Sequence, residues 1–309
     1  MKLVFFGTPE FAVPTLDSLH DSDHDILGVV TSPDKKSGRG LKIQSSAIKK
    51  SAEKYGLPIY QPESTGSKQL QSILTQINPD IYVVVAYKIL PELILNIPRR
   101  GAVNLHASLL PKYRGAAPVN HAILNGETEI GLTTFLIQKK VDTGDLLLQR
   151  SFDMDNSITT GEALSKLSFI GADLVIKTLN ALSQNKLNPI KQNNDKATFA
   201  PKISVQDCKI NWNKPASMIH NKIRAFSPKP GAFTFYKNKR VKLFGSKVLQ
   251  YLPNSKLLPG QIEYADSIFK IGTDTEPIQI TNIQIEGKKK LQVSEFILGY
   301  PKITGGYFD

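Results

Sequence analysis

The sequence predicts an α/β protein, an open, mostly parallel, Rossmann-like sheet followed by a smaller C-terminal β-barrel of OB-like kind. Three observations carry this. Apolar segments of strand length alternate with helical segments as far as about residue 183, the pattern of strands joined by crossover helices. One of them, Ile81-Tyr82-Val83-Val84-Val85-Ala86, is apolar without alternation, as a parallel strand covered on both faces should be. Beyond a polar stretch at 185–206 the strands become short and closely spaced, with turn residues between them, which fits a small antiparallel barrel.

Taken in order, Lys2-Leu3-Val4-Phe5-Phe6 reads as a buried strand ended by Gly7. Thr8-Pro9-Glu10 then supplies a cap, a first-turn proline and an early acid, so a helix is expected through about Leu19. Ile26-Leu27-Gly28-Val29-Val30 is the second strand, and the 81–86 run is the strongest in the chain. Ala102-Val103-Asn104-Leu105, Gly131-Leu132-Thr133-Thr134-Phe135-Leu136 and Leu146-Leu147-Leu148 follow, with helices near 45–55, 67–77, 118–125 and 160–183. The expected division is a first domain over 1–188, a linker over 189–206 and a second domain over 207–309. In the last part an amphipathic helix over 214–225 sets Ile219, Ile223 and Phe226 on one face. Strands are expected around Phe233-Thr234-Phe235-Tyr236, Val241-Lys242-Leu243-Phe244, Ile268-Phe269-Lys270-Ile271 and Ile278-Gln279-Ile280, with Lys237-Asn238-Lys239 as a hairpin turn.

Composition bounds the class. The 309 residues suit two domains, and 40% hydrophobic residues are enough for ordinary cores. No apolar stretch of about 18 residues is present and the N-terminus lacks a secretory pattern, so no membrane role is expected and a cytoplasmic location is. Cys208 is the single cysteine, which excludes an internal disulfide and a cysteine-based metal cluster. The net charge of +12 is unevenly spread: residues 207–309 hold 16 Lys and Arg against 8 Asp and Glu, two-thirds of the excess. Such asymmetry fits a polyanionic partner, because each neutralised phosphate releases counterions.

The chemistry concentrates in Asn104-Leu105-His106-Ala107-Ser108-Leu109-Leu110-Pro111-Lys112-Tyr113-Arg114-Gly115-Ala116-Ala117-Pro118. Residues i and i+2 of a strand face the same way, so Asn104 and His106 can address one point where a strand ends. Pro111 and Gly115 then break the run into a loop. An amide donor and a titratable base aimed together can hold a developing oxyanion and move a proton. The partner proposed for them is Asp142, in the loop Val141-Asp142-Thr143-Gly144-Asp145. Asp142 and Asp145 together could suggest a paired-carboxylate hydrolase, but Asp145 more simply starts the next strand. Ser108 has no Gly-x-Ser-x-Gly around it and is not a hydrolase nucleophile by any local sign.

The string as a whole resembles the folate-formyl signature of the formyltransferases, and its Arg114-Gly115-Ala116-Ala117-Pro118 ending resembles the methionyl-tRNA formyltransferases in particular. The resemblance implies a formyltransferase sheet using 10-formyltetrahydrofolate as formyl donor, with no metal. It implies that Asn104 holds the formyl oxygen, His106 acts in proton transfer and Asp142 orients or assists the imidazole. A single imidazole can serve both the amine that loses a proton and the folate nitrogen that gains one, if a carboxylate fixes its tautomer. Ser108, Leu109, Leu110 and Pro111 are similar to the family's tetrahydrofolate segment, and Val85, Ala86 and Tyr87 to the wall of the same pocket. Lys88 stands where the family's loop is expected to carry glycine.

A second loop, Ser32-Pro33-Asp34-Lys35-Lys36-Ser37-Gly38-Arg39-Gly40-Leu41-Lys42, places four basic residues among glycines directly after a strand. It resembles the insertion by which this family contacts the acceptor arm of initiator tRNA. That implies Arg39 as the main contact, with Lys35, Lys36 and Lys42 on phosphates. Ile223-Arg224-Ala225-Phe226-Ser227-Pro228-Lys229-Pro230-Gly231 resembles the start of the family's C-terminal domain, whose basic residues here suit an RNA-facing barrel. The implied partners are initiator methionyl-tRNA and folate, on a chain expected to be monomeric.

Three rival readings differ in sequence. A formyltransferase for sugar-nucleotide amines would share the catalytic trio but carry a bulkier or charged residue at Ala116 and need no Arg39 loop. Glycinamide ribonucleotide formyltransferase would lack everything after 206, and a non-catalytic RNA-binding scaffold would lose one of Asn104, His106 and Asp142. Two motifs are discounted: His20-Asp21-Ser22-Asp23-His24-Asp25 reads as a solvated turn rather than a metal cluster, and Gly7 does not begin a Gly-x-Gly-x-x-Gly dinucleotide site.

Overall fold

The computed structural model describes residues 1–37, 42–249 and 257–309. They form two compact units: Met1–Gly115, Ile130–Phe152 and Leu164–Phe199 in the first, and Ala116–Glu129, Asp153–Ala163 and Ala200–Asp309 in the second.

The first unit takes its elements in the order β1 (Lys2–Gly7), α1 (Val13–His20), β2 (Asp25–Val30), β3 (Lys35–Ser37), β4 (Lys42–Gln44), α2 (Ala47–Lys54), β5 (Ile59–Tyr60), α3 (Lys68–Ile77), β6 (Ile81–Val85), α4 (Glu92–Leu95) and β7 (Ala102–His106). After α5 (Pro118–Leu124), which belongs to the second unit, come β8 (Glu129–Leu136), β9 (Leu146–Asp153) and α6 (Thr160–Ser183). Seven strands make one sheet in the order β5-β2-β1-β6-β7-β8-β9. The ladders from β5 to β7 are parallel, and β8 joins β7 antiparallel. The central strands are buried on both faces, with Leu3, Val4, Phe5, Phe6 and the whole of β6 inside, as the unbroken apolar runs require. The order reverses between β1 and β6, and open α/β sheets bind ligands outside the carboxyl ends of strands at such a reversal. Gly7 closes β1 there; a Cβ on it would stand 2.7 Å from the Phe5 ring and 3.2 Å from the Val85 carbonyl.

Details depart from the expected elements for local reasons. The helix expected from Thr8 is a 3-10 turn at Glu10–Ala12 followed by α1, because Pro14 has no N–H to continue an α-helix begun earlier. The flanks of the basic loop form an antiparallel ribbon, with Lys35 opposite Gln44 and Ser37 opposite Lys42. β5 is two residues long, too short to show a period. The polar stretch after α6 is tied down: Ile190 exchanges backbone hydrogen bonds with Leu146 at 2.8 and 2.9 Å, and Arg114 N donates to Thr198 O at 2.9 Å.

The second unit adds α7 (Ala216–Ala225), β10 (Ala232–Tyr236), β11 (Lys239–Val248), β12 (Ile262–Ala265), β13 (Ile268–Ile271), β14 (Ile278–Ile285), β15 (Leu291–Gln292) and α8 (Val293–Gly299). These strands form a six-stranded antiparallel sheet in the order β10-β11-β14-β13-β12, with β15 on β14. Lys237 and Asn238 both adopt positive φ, 48° and 61°, between paired Tyr236 and Lys239, so the expected turn is a two-residue loop with the primed twist that hairpins favour. α7 buries Ile219 and Ile223, and Asn120 of α5 donates to the carbonyl of Ala225 at its end. Trp212 donates to Thr234 and stacks on Phe308 within this core.

Candidate active site

Asn104 and His106 lie on β7, whose last residue is His106, at the carboxyl end of the parallel strands. Asn104 pairs across the sheet with Val84 and Phe135, and His106 with Thr133. Their two-residue spacing therefore sets both side chains on one side of the sheet. The Asn104 amide is half-buried and has no hydrogen-bond partner among the described residues. His106 is 7% exposed, with Phe135 edge-on to its ring.

The imidazole is fixed from two sides. Nε2 lies 3.0 Å from the Tyr113 carbonyl, an acceptor, so Nε2 carries a hydrogen and donates it. Nδ1 lies 3.7 Å from Asp142 Oδ2, an ion-pair distance too long for a hydrogen bond. The tautomer is thus set by a backbone carbonyl, not by the carboxylate. Asp142 Oδ2 instead accepts from the Gly115 N–H at 2.8 Å. Asp142 itself adopts φ of 53°, a left-handed conformation that Asp tolerates better than most residues. Two residues on, Gly144 runs so close to β8 that a Cβ would overlap the Leu136 carbonyl.

The loop after β7 rests on a polar rack. Thr133 Oγ1 donates to Ser108 O at 2.6 Å and accepts from Leu110 N and Gln149 Nε2, while Gln149 also donates to Leu110 O. Ser108 Oγ donates to Lys112 O, so its hydroxyl is engaged within the loop. Leu110 is buried, while Leu109 and Pro111 are half-buried. Val85 ends β6 and is buried, and Ala86, just beyond it, is exposed at φ of 50°. The left-handed position of that loop therefore falls on Ala86 rather than on Lys88, where glycine was expected. Tyr87 packs edge-on to Phe6; its hydroxyl has no partner among the described residues, and burial pushes it up to about 12.

A further layer was not legible in the sequence. Gln192, 9% exposed, donates from Nε2 to the carbonyls of Asp142 and Gly144 at 2.9 and 2.8 Å. Its Oε1 accepts from Arg114 Nε and Nη2 at 3.1 and 2.7 Å, and Arg114 Nη2 also donates to Asn194. Gln192 lies in the stretch read as a linker, where polarity masks a buried role.

Of the four basic residues assigned to tRNA, Arg39 lies outside the described residues. Lys35 is exposed, and Lys36 and Lys42 belong to the ribbon backbone. The ribbon is moored by Asp34, which accepts from Lys49 at 2.6 Å and Gln61 at 2.8 Å; Lys49 first, then Gln61, hold its carboxyl below the usual range. His20 stacks on Tyr55 and His24 faces the N-terminal amine, so the two do not share a site.

This fold and strand-end site define a formyl transferase: the family model described as formyl transferase matches residues 1–179, and its C-terminal domain matches residues 202–301. The chain is 42% identical over 302 residues to a methionyl-tRNA formyltransferase from Caldanaerobacter subterraneus subsp. tengcongensis, covering 97% of each chain. It is 44% identical over 301 residues to one from Thermodesulfovibrio yellowstonii, covering 96% of this chain and 95% of that protein. It belongs to the methionyl-tRNA formyltransferase family. Among solved structures it is similar in fold to the N-formyltransferase of Helicobacter canadensis in complex with folinic acid and dTDP-3-aminofucose, with a TM-score of 0.70 at 22% identity, over 91% of this chain and 98% of that one. Among the described residues no helix is long and apolar enough to cross a membrane.

Proposed function

We propose that the chain transfers the formyl group of 10-formyltetrahydrofolate to the α-amino group of methionyl-initiator tRNA, giving N-formylmethionyl-tRNA for translation initiation. The observation that carries this is the pairing of His106, at the end of β7, with Asp142, and an uncommitted Asn104 amide two residues back on the same side of that strand. The folate, when bound, supplies an activated formyl carbon. Asn104 donates to the formyl oxygen as negative charge gathers there. With Nε2 committed to Tyr113, Nδ1 is the atom of His106 that takes the proton from the amine as it bonds to the formyl carbon, and returns it to the folate nitrogen as the formyl C–N bond breaks. Asp142, 3.7 Å away, stabilises the ring while it is charged.

Relatives of high identity over almost the full chain, each named methionyl-tRNA formyltransferase, support the tRNA substrate. The Helicobacter protein's folinic acid supports a folate donor held by Val85, Ala86, Tyr87 and the 108–111 segment. The basic loop, with Arg39, Lys35, Lys36 and Lys42, would contact the acceptor arm. Residues 1–188 would carry the chemistry, joined by 189–206 to a tRNA-binding part at 207–309, in a cytoplasmic monomer that uses no metal. The two family matches, at 1–179 and 202–301, support a two-part reading of the chain.

The test is a formyl-transfer assay with charged initiator tRNA beside an amino-sugar nucleotide. Turnover of the tRNA alone is expected. Turnover of the sugar alone would replace this reading with the sugar-nucleotide one.

A further inference from the structure

We infer that Gln192 is a positioning residue for the reaction, an amide clamp that sets the spacing of His106 and Asp142. Two groups that hydrogen-bond this pair, Tyr113 O on the imidazole and Gly115 N on the carboxylate, flank Arg114 in sequence. The Arg114 side chain grips Gln192 Oε1 with two N–H groups, and Gln192 Nε2 grips the carbonyls on either side of Thr143. One buried side chain thereby ties the loop that holds the imidazole to the loop that presents Asp142. Both amide hydrogens and both acceptor positions of Gln192 are used, so the bridge has one low-energy orientation. The Asp142 loop needs such a tie: Asp142 sits at positive φ, and Gly144 leaves no room for the loop to move toward Leu136.

A bland role makes the opposite prediction. If Gln192 merely accepts hydrogen bonds from buried Arg114, Gln192→Glu should serve as well or better, because a carboxylate pairs more strongly with guanidinium. As a clamp, Gln192→Glu must fail: it keeps length and the Arg114 contact but turns an acceptor toward two carbonyl oxygens. This inference rests on the formyl-transfer reading, so wild type is assayed alongside; a wild-type enzyme inactive toward charged initiator tRNA removes that reading. With wild type active, Gln192→Glu is expected to lower kcat at least about tenfold, leaving KM for tRNA and folate within about threefold. A kcat within twofold of wild type, or a loss confined to KM, overturns the clamp. If Gln192→Glu does not fold, Gln192→Met, of similar volume and without donors, is judged by the same criteria, with its circular dichroism spectrum checked against wild type.

Discussion

At the scale of single residues, the hydrogen on His106 Nε2 leaves Nδ1 free beside a carboxylate, and that asymmetry is what a proton carrier needs. His106→Ala should lower formylation at least about a hundredfold, the usual contribution of a positioned acid–base group, with tRNA affinity nearly unchanged. Steady-state kinetics and filter binding measure the two separately; a loss of less than threefold would remove His106 from the chemistry. Asn104 and His106 were legible because strand alternation is written in side-chain order. Asp142 was reached through resemblance, since an Asp-x-Gly turn is common in any protein. Tyr113 and Gln192 were not legible: the first acts through its carbonyl, which every residue has, and the second through burial that its polar neighbourhood hides.

At the scale of elements, the site hangs on two short loops whose geometry is enforced by the strands behind them. Gly144 makes this testable. Adding a methyl group there drives it into the Leu136 carbonyl of β8, so either the strand or the Asp142 loop must shift. Gly144→Ala should cost about 1–3 kcal/mol of stability, in the range of core overpacking, and lower kcat as Asp142 leaves the imidazole. Thermal unfolding and kinetics check both effects; wild-type behaviour in each would mean the loop relaxes freely. The β3–β4 ribbon is the other element on which the proposed function draws. Asp34 moors its base, and because its carboxyl is held below the usual range, the mooring is intact at neutral pH and is lost as pH falls through that lowered value. Arg39→Ala should raise KM for tRNA or lower kcat with no change in melting temperature, and unchanged kinetics would detach the loop from tRNA. The ribbon escaped the sequence reading because glycine and lysine outweigh any strand signal in three-residue strands.

At the scale of the whole molecule, the alternation of strands and helices announced the open sheet, since each parallel neighbour needs a crossover. What linear reading could not give is that α5 and residues 153–163 group with the second unit, for chain order carries no record of which side chains a helix buries. Charge, by contrast, is read directly from sequence and has a thermodynamic consequence. If the four basic residues of the 35–42 loop alone neutralise phosphates, log Kobs for tRNA should fall linearly with log salt with a slope of about −3, and contacts from 207–309 should steepen it. Arg39→Ala should flatten the slope by about one unit, the release of one phosphate's counterions. Replacing three lysines of the second unit, Lys288, Lys289 and Lys290, with glutamine should flatten it further while leaving kcat at saturating tRNA unchanged, because none of them is assigned to the chemistry. A salt-independent affinity would mean that the net positive charge, two-thirds of it in the last third of the chain, serves something other than the nucleic acid.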